Sequence, residues 1–171
     1  TELGLPGNGF VFCCFNNSYK LTPKVFDIWM RLLQRIDGSV LWLLKANSFV
    51  TDNLVREAEA RGVNRARLIF APRSGLADHL ARHRLADLFL DTLPYNGHAT
   101  SIDALWAGLP VLTCLGTTFP GRVAASLLNA IGLNELITHS LEEYEALAVE
   151  LAMNSKRLAE TFDQRRATAY S

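Results

Sequence analysis

Short, continuously apolar runs alternate with segments of helical period along the whole chain. The runs FVFCCF, VLWLL, LIF, LFL and VLTCL are typical of strands that are buried on both faces of a parallel sheet. They predict strands at Gly9–Phe15, Ser39–Lys45, Arg67–Ala71, Asp87–Asp91 and Pro110–Leu115, with a short strand near Glu135–Thr138.

The segments between the runs carry helix signals. Thr22 is a predicted N-cap, Pro23 occupies the first turn, and an apolar stripe continues to Ile36. Gly62 and Gly132 are predicted helix-terminating glycines. Further helices are predicted at Asn53–Arg61, Leu76–Arg84, Thr100–Trp106, Val123–Ile131, Leu141–Met153 and Ser155–Arg166. This strict alternation favours right-handed βαβ units, and the predicted fold class is α/β with a doubly wound, mostly parallel sheet.

The composition is that of one soluble globular domain over residues 1–171, with 49% hydrophobic and 20% charged residues. Lys plus Arg and Asp plus Glu both number 17, and no basic run is present, so neither nucleic acid nor a membrane is an expected partner. No apolar stretch approaches the roughly 20 residues that span a bilayer. The chain opens on Thr1 instead of methionine, which suggests an internal piece of a longer protein.

The cysteines and tryptophans are predicted to be buried. Cys13 and Cys14 are adjacent within an apolar run, a spacing that suits neither a zinc site nor a disulfide framework. Together with Cys114 they are expected to be free thiols, which indicates a reducing, cytoplasmic location. The spacing of Trp29, Trp42 and Trp106 predicts core positions.

Three polar loops follow the first, third and fourth predicted strands, at Phe15–Pro23, Ala71–His79 and Asp91–Gly108. Ligands of open parallel sheets bind outside the carboxyl ends of the strands, so these loops are expected to converge on one site. Neither GxGxxG nor GxxxxGK[ST] is present, which argues against a dinucleotide or Walker-type site.

The third loop is the most informative. Asn96-Gly97 predicts a turn, after which His98, Ala99 and Thr100 begin a helix whose free N–H groups and dipole favour an anion. Asp103, placed in the first turn, is expected to cap the helix or to accept bonds from sugar hydroxyls. An ordinary cap by Thr100 with a solvated His98 is an equal alternative.

Lys20 and two residues of the second loop are further candidates. Lys20 follows the first strand and suits a phosphate, although a solvated surface lysine is an equal alternative. His79 begins the third helix, where its imidazole can stack on a base, and Arg82 lies three residues later on the same face. A surface histidine is the simpler interpretation of His79 alone.

Five motifs of the chain resemble, in order, the C-terminal catalytic lobe of O-GlcNAc transferases and their bacterial relatives. They are FNNSYKLTP, VLWLL, RLIFAP with a following histidine, LFLDTLPYNGHATSIDALWAGLPVLT and GRVAASLL. The resemblance runs from about Phe12 to Met153, and Leu88–Thr113 is its most specific part. It implies a Rossmann-like C-terminal lobe of a GT-B glycosyltransferase, in which this lobe holds a UDP-sugar. The N-terminal lobe and the TPR repeats, which would recognise a protein acceptor, are expected to lie outside this sequence.

The resemblance implies an inverting, metal-independent transfer of GlcNAc to Ser or Thr of a protein, with no cofactor. Lys20 would bind the diphosphate and stabilise the departing UDP, and Asn17 would touch a phosphate. His98, Ala99 and Thr100 would hold the diphosphate at the helix N-terminus. Lys20 and His98 are the predicted catalytic residues, and the isolated piece is expected to bind UDP weakly and to transfer nothing.

The resemblance also implies roles around the nucleoside. His79 would stack on uracil, Arg82 would reach the edge of the base, and the backbone near Ser74 would read it. Asp103 would accept the ribose or sugar hydroxyls.

The sequence departs from the family pattern at three positions. Leu76 stands where animal members carry a lysine that helps to hold the ribose, and Ala99 replaces one of two threonines. Tyr95 lies near the sugar pocket, where animal members have cysteine, so the identity of the sugar is open.

Two alternatives follow. The first is another donor, either UDP-glucose or GDP-fucose, the latter in the manner of Spindly-type relatives. The resemblance favours a UDP-sugar over GDP-fucose, because Spindly-type relatives lack a histidine at the position of His98 and carry glutamate in place of Asp103. The second alternative is a nucleotide-sugar-binding module without transfer activity, which Leu76 alone supports.

Overall fold

Six parallel strands form the centre of the protein in the order β3-β2-β1-β4-β5-β6. The computed structural model describes residues 3–169, and for Thr161 and residues 164–169 it describes the backbone only; Thr1 lies outside it. The strands are β1 Val11–Cys14, β2 Val40–Leu44, β3 Leu68–Ala71, β4 Leu88–Leu90, β5 Val111–Cys114 and β6 Ile137–Thr138. The predicted doubly wound α/β fold is confirmed, with strands somewhat shorter than expected. The order reverses between β1 and β4, where such sheets form a ligand crevice.

Seven α-helices among the described residues accompany the sheet, together with five short 3-10 helices. The α-helices are α1 Pro23–Arg35, α2 Ser48–Ala60, α3 Leu76–Arg82, α4 Ala99–Ala107, α5 Val123–Ala130, α6 Leu141–Met153 and α7 Ser155–Ala169. The Thr22 hydroxyl accepts from the Val25 N–H, which confirms the predicted N-cap of α1. Helix α2 begins five residues before its predicted start, because the Asn47 side chain caps it through the Val50 N–H at 2.9 Å.

Positive φ angles confirm the two predicted helix-terminating glycines, at 80° for Gly62 and 74° for Gly132. No helix among residues 3–169 combines the length and the apolar character that a membrane crossing requires.

The strand residues fill the core, and all three cysteines are buried free thiols as predicted. Trp29 and Trp42 are buried, and the Trp29 indole donates to the Tyr144 hydroxyl at 3.0 Å. The prediction for Trp106 is wrong: its side chain is 64% exposed. Helix α4 packs its Ser101, Ala104 and Leu105 side inward, so Trp106 shares the outward side with Ile102.

Candidate functional site: a basic cleft at the carboxyl edge of the sheet

A cleft of about 430 Å³ opens at the carboxyl edge of the sheet, beside the crevice between β1 and β4. All three predicted loops contribute to it, and it brings together eight of the nine predicted site residues. The lining residues are Phe15, Asn16, Asn17, Lys20, Leu44, Arg73, Ser74, His79, Arg82, His98, Ala99 and Thr100. The ninth predicted residue, Asp103, meets the cleft through His79.

The cleft concentrates positive charge in a chain whose formal net charge is zero. Lys20, Arg73 and Arg82 line it, and no carboxylate is among its described lining residues. A separate groove of about 390 Å³ beside α6 and α7 is lined mainly by leucines, with Glu135, Glu150 and Arg157 as its charged residues, so it does not share the uniformly positive charge of the cleft. Among residues 3–169, no group of three or more His, Cys, Asp or Glu side chains is placed to hold a metal ion.

Helix α4 points its N-terminus into the cleft, because its first residues are cleft residues. The first N–H groups of a helix lack acceptors within the helix, so they are available to an anion. Thr100 does not cap the helix: its hydroxyl donates to the Asn16 carboxamide oxygen. His98 occupies the N-cap position, is exposed, and makes no side-chain capping bond. The alternative of an ordinary Thr100 cap is therefore wrong.

The loop between β4 and α4 is anchored by Asn16, a residue that the sequence analysis did not select. The Asn16 carboxamide nitrogen donates to the Thr92 hydroxyl at 2.8 Å and to Asp91 at 3.4 Å, while its oxygen accepts from Thr100. Asn16 thus joins the end of β1 to both ends of this loop. The available signal was an amide directly after the first apolar strand, within the first of the three predicted polar loops.

The buried Asp91 carboxylate holds the same loop through hydrogen bonds. It accepts from the Gly97 N–H and the Thr113 hydroxyl, each at 2.8 Å. Burial raises the pKa of Asp91 to about 6, and these hydrogen bonds oppose the rise. Asp91 and Asn16 are positioning residues, since they act on a ligand through the loop that they hold.

The predicted turn at Asn96-Gly97 is wrong, because neither residue has turn geometry and both are buried. The Asn96 side chain donates to the Thr92 carbonyl at 2.9 Å and accepts from the Ala124 N–H at 3.2 Å. The Asn96 carbonyl accepts from Lys20 Nζ at 3.1 Å. This bond holds the Lys20 ammonium on the loop that leads into α4, three residues before the helix begins.

His79 and Arg82 form a layered arrangement on Phe15. The Arg82 guanidinium lies 4.6 Å from the Phe15 ring centre, donates to the Pro72 carbonyl at 2.5 Å and contacts His79 Nδ1 at 2.8 Å. A guanidinium only donates, so Nδ1 accepts and neutral His79 carries its proton on Nε2. Arg82 is thus buried next to His79, and its role at the edge of a base stays a prediction.

The sequence predicted Asp103 in the first turn of α4, and this prediction is wrong. Asp103 does not cap the helix either. The helix begins at Ala99, so Asp103 lies one turn further on, with Oδ2 3.5 Å from His79 Nε2. Burial and then the charge of Arg82 lower the pKa of His79, while Asp103 opposes that shift. A neutral imidazole with a fixed ring suits stacking on an uncharged base.

Arg73 is a second cleft cation that the sequence analysis missed. Its guanidinium donates to the Asn17 carboxamide oxygen at 3.3 Å, and Asn17 makes no capping bond of its own. Ser74 follows on the exposed side of the same loop. Leu76 is 66% exposed and is not among the lining residues described above.

The residue pattern of Glycosyl transferase family 41 matches residues 1–169. The chain belongs to this family. This confirms the predicted resemblance to O-GlcNAc transferases, from which the candidates Asn17 and Ser74 were taken.

Individual members of family 41 are similar over most of the chain. A probable UDP-N-acetylglucosamine–peptide N-acetylglucosaminyltransferase of Arabidopsis thaliana is 40% identical over 98% of the chain, which covers 17% of that protein. The corresponding enzyme of Caenorhabditis elegans is 36% identical over 91% of the chain and is covered to 14%.

The solved structure of a variant of the Thermobaculum terrenum O-GlcNAc transferase aligns with a TM-score of 0.86 and 35% identity. The alignment covers 94% of this chain and 32% of that one. The chain therefore spans less than a fifth of the two sequence relatives and about a third of the bacterial structure.

Proposed function

We propose that this chain is the donor-binding lobe of a family 41 protein O-glycosyltransferase, and that the donor is a UDP-sugar. The observation that carries the proposal is the charge of the cleft: cations and a helix N-terminus converge there, and no described lining residue is a carboxylate. The relatives are named as UDP-N-acetylglucosamine–peptide transferases, so we propose GlcNAc as the sugar and a protein Ser or Thr hydroxyl as the acceptor.

The proposed binding mode divides the cleft into two parts. The diphosphate lies against Lys20 and the N–H groups at the start of α4, and the uracil stacks on His79, with its edge toward Ser74. The neutral state of His79 supports this mode, because a charged ring would lose more hydration when covered by the base.

In the proposed reaction, the acceptor oxygen attacks the anomeric carbon from the side opposite the leaving UDP, and inversion results. Negative charge grows on the β-phosphate as the glycosidic bond breaks. Lys20 and His98 stabilise that charge without a metal ion or a cofactor. The rest of the enzyme recognises the acceptor and supplies the group that removes its proton. We also propose a cytoplasmic location, which the buried free thiols support.

Titration of the chain with UDP and GDP, followed by NMR so that millimolar affinities are measurable, tests the proposal. UDP is expected to bind more tightly than GDP, with the largest chemical-shift changes at His79, Thr100 and Lys20. Equal or reversed affinity would remove the UDP assignment. Labelled UDP-GlcNAc, UDP-glucose and GDP-fucose, offered to the parent enzyme, separate the donors, and no transfer from any of them would favour a binding module.

A further inference from the structure

We propose that Arg73 is a second diphosphate-binding cation, which reaches the donor from the side of the cleft away from Lys20. This inference rests on the proposed function, since it assigns a further residue to the same donor site. The observations that carry it are the position of Arg73, its unused donors and the absence of carboxylates from the described cleft lining.

The backbone next to Arg73 is held by a hydrogen bond, whereas its side chain has few described partners. The carbonyl of the preceding residue, Pro72, accepts from Arg82 at 2.5 Å, which anchors the loop where Arg73 begins. The exposed Arg73 guanidinium contacts only Asn17 among the described hydrogen bonds and ion pairs, at the long distance of 3.3 Å. A guanidinium has five N–H donors, so most of them are available to a ligand.

Other arginines of the chain have several hydrogen-bond or ion-pair partners within the fold. Arg67 donates to the Leu33, Ile36 and Ser39 carbonyls, and Arg61 pairs with Asp27 and Glu57. Arg73 has no such set of partners in the described structure, although it lies in a cleft that also holds Lys20 and Arg82. Cations without counter-charges repel each other, and a dianionic ligand relieves that repulsion.

The two exposed sides of the cleft therefore each carry a cation. Lys20 is bonded to the loop after β4, and Arg73 comes from the loop after β3. The Asn17 carboxamide stands between them, since it follows β1 and receives the Arg73 bond. A planar guanidinium matches two phosphate oxygens at once, so a diphosphate is the ligand group that this geometry suits.

The test compares UDP with uridine, which shares the nucleoside but has no phosphate. Arg73→Gln keeps an amide donor for Asn17 and removes only the charge and the fork. We expect UDP affinity to fall about tenfold, equal to about 1.4 kcal/mol, while uridine affinity is unchanged. Arg73→Lys is expected to recover part of the loss, and raised salt should weaken wild-type binding more than that of Arg73→Gln.

Arg56→Gln is the matched control, because Arg56 is an exposed arginine of α2 that does not line the cleft. It should leave both affinities unchanged. Unchanged UDP affinity in Arg73→Gln, or an equal loss for UDP and uridine, overturns the role of Arg73. A wild-type chain that does not prefer UDP over GDP instead removes the proposed function, so the two failures are distinguishable.

Discussion

Replacement of Gly97 by alanine tests whether the loop between β4 and α4 is locked by close packing. A Cβ atom added there would lie 2.3 Å from the Asn16 carboxamide oxygen and 2.3 Å from the Thr100 hydroxyl oxygen. Real carbon–oxygen contacts are not that short, so both side chains must move by well over half an ångström. The φ angle of Gly97 is not in the left-handed region, so the effect is purely steric.

The magnitude follows from what the displacement breaks. Forcing a methyl group into a packed site costs roughly 1–3 kcal/mol. Separation of Asn16 from Thr100 leaves a polar group poorly satisfied, at about 1–3 kcal/mol. The packing cost and the hydrogen-bond cost are not additive, because one movement of the Asn16 and Thr100 side chains causes both. We therefore expect Gly97→Ala to lower the free energy of unfolding by about 2–4 kcal/mol. UDP affinity should also fall, because Thr100 lies in the first turn of the helix that we propose binds the diphosphate.

Urea denaturation gives the free energy of unfolding, and NMR titration gives UDP affinity. Gly7→Ala is the control: a Cβ there meets nothing within 4 Å, so its effect should stay within about 0.5 kcal/mol. If the clash is the cause, Gly97→Ala should cost less in an Asn16→Ala background than in the wild type. A Gly97→Ala variant as stable as Gly7→Ala would refute the reasoning.

Three further substitutions probe separate groups. Lys20→Ala should weaken UDP binding by about 1.5–3 kcal/mol with little change in the ligand-free Tm; lost stability at unchanged affinity would make Lys20 a structural anchor. His98→Ala in the parent enzyme should lower turnover on the order of 100- to 1000-fold with a small change in UDP affinity; turnover within a few-fold of wild type would contradict its role. Burial lowers the pKa of His83 from 6.5 to about 4, so unfolding takes up a proton in that range and the His83 contribution to stability falls by up to about 3 kcal/mol as the pH drops from 6.5 to 4. The raised pKa of Asp91 contributes with the opposite sign, so the difference between wild type and the His83 variant is the quantity to measure. His83→Asn, which keeps a donor for the His79 carbonyl, should remove this dependence in urea denaturation; an unchanged pH slope would contradict it.

Local chemistry in the sequence determined the fold class and the place of the site. Apolar runs of strand length, separated by capped helices, are compatible with few arrangements other than a doubly wound sheet. Because all strands then end at one edge, the polar loops after β1, β3 and β4 had to meet there. Lys20, His79 and His98 could be selected because each stands in such a loop, and each lines the cleft.

Contacts between distant segments decided what the sequence could not. Asn16 and Asp91 are 75 residues apart, and only their meeting shows that the amide after β1 holds the loop after β4. Arg73 became a candidate when the fold placed it beside Asn17 and away from any described carboxylate. The sequence alone does not distinguish a loop arginine that faces a cleft without carboxylates from a loop arginine that faces solvent.

Helix phase explains the remaining errors. Helix α4 begins at Ala99, one residue before its predicted start, so Asp103 falls outside the first turn and lies near His79. Trp106 faces outward because Ser101, Ala104 and Leu105 take the buried side of α4. Sequence period indicates that a helix exists, whereas the sheet and the neighbouring loops determine which of its sides is buried, because burial depends on what packs against it.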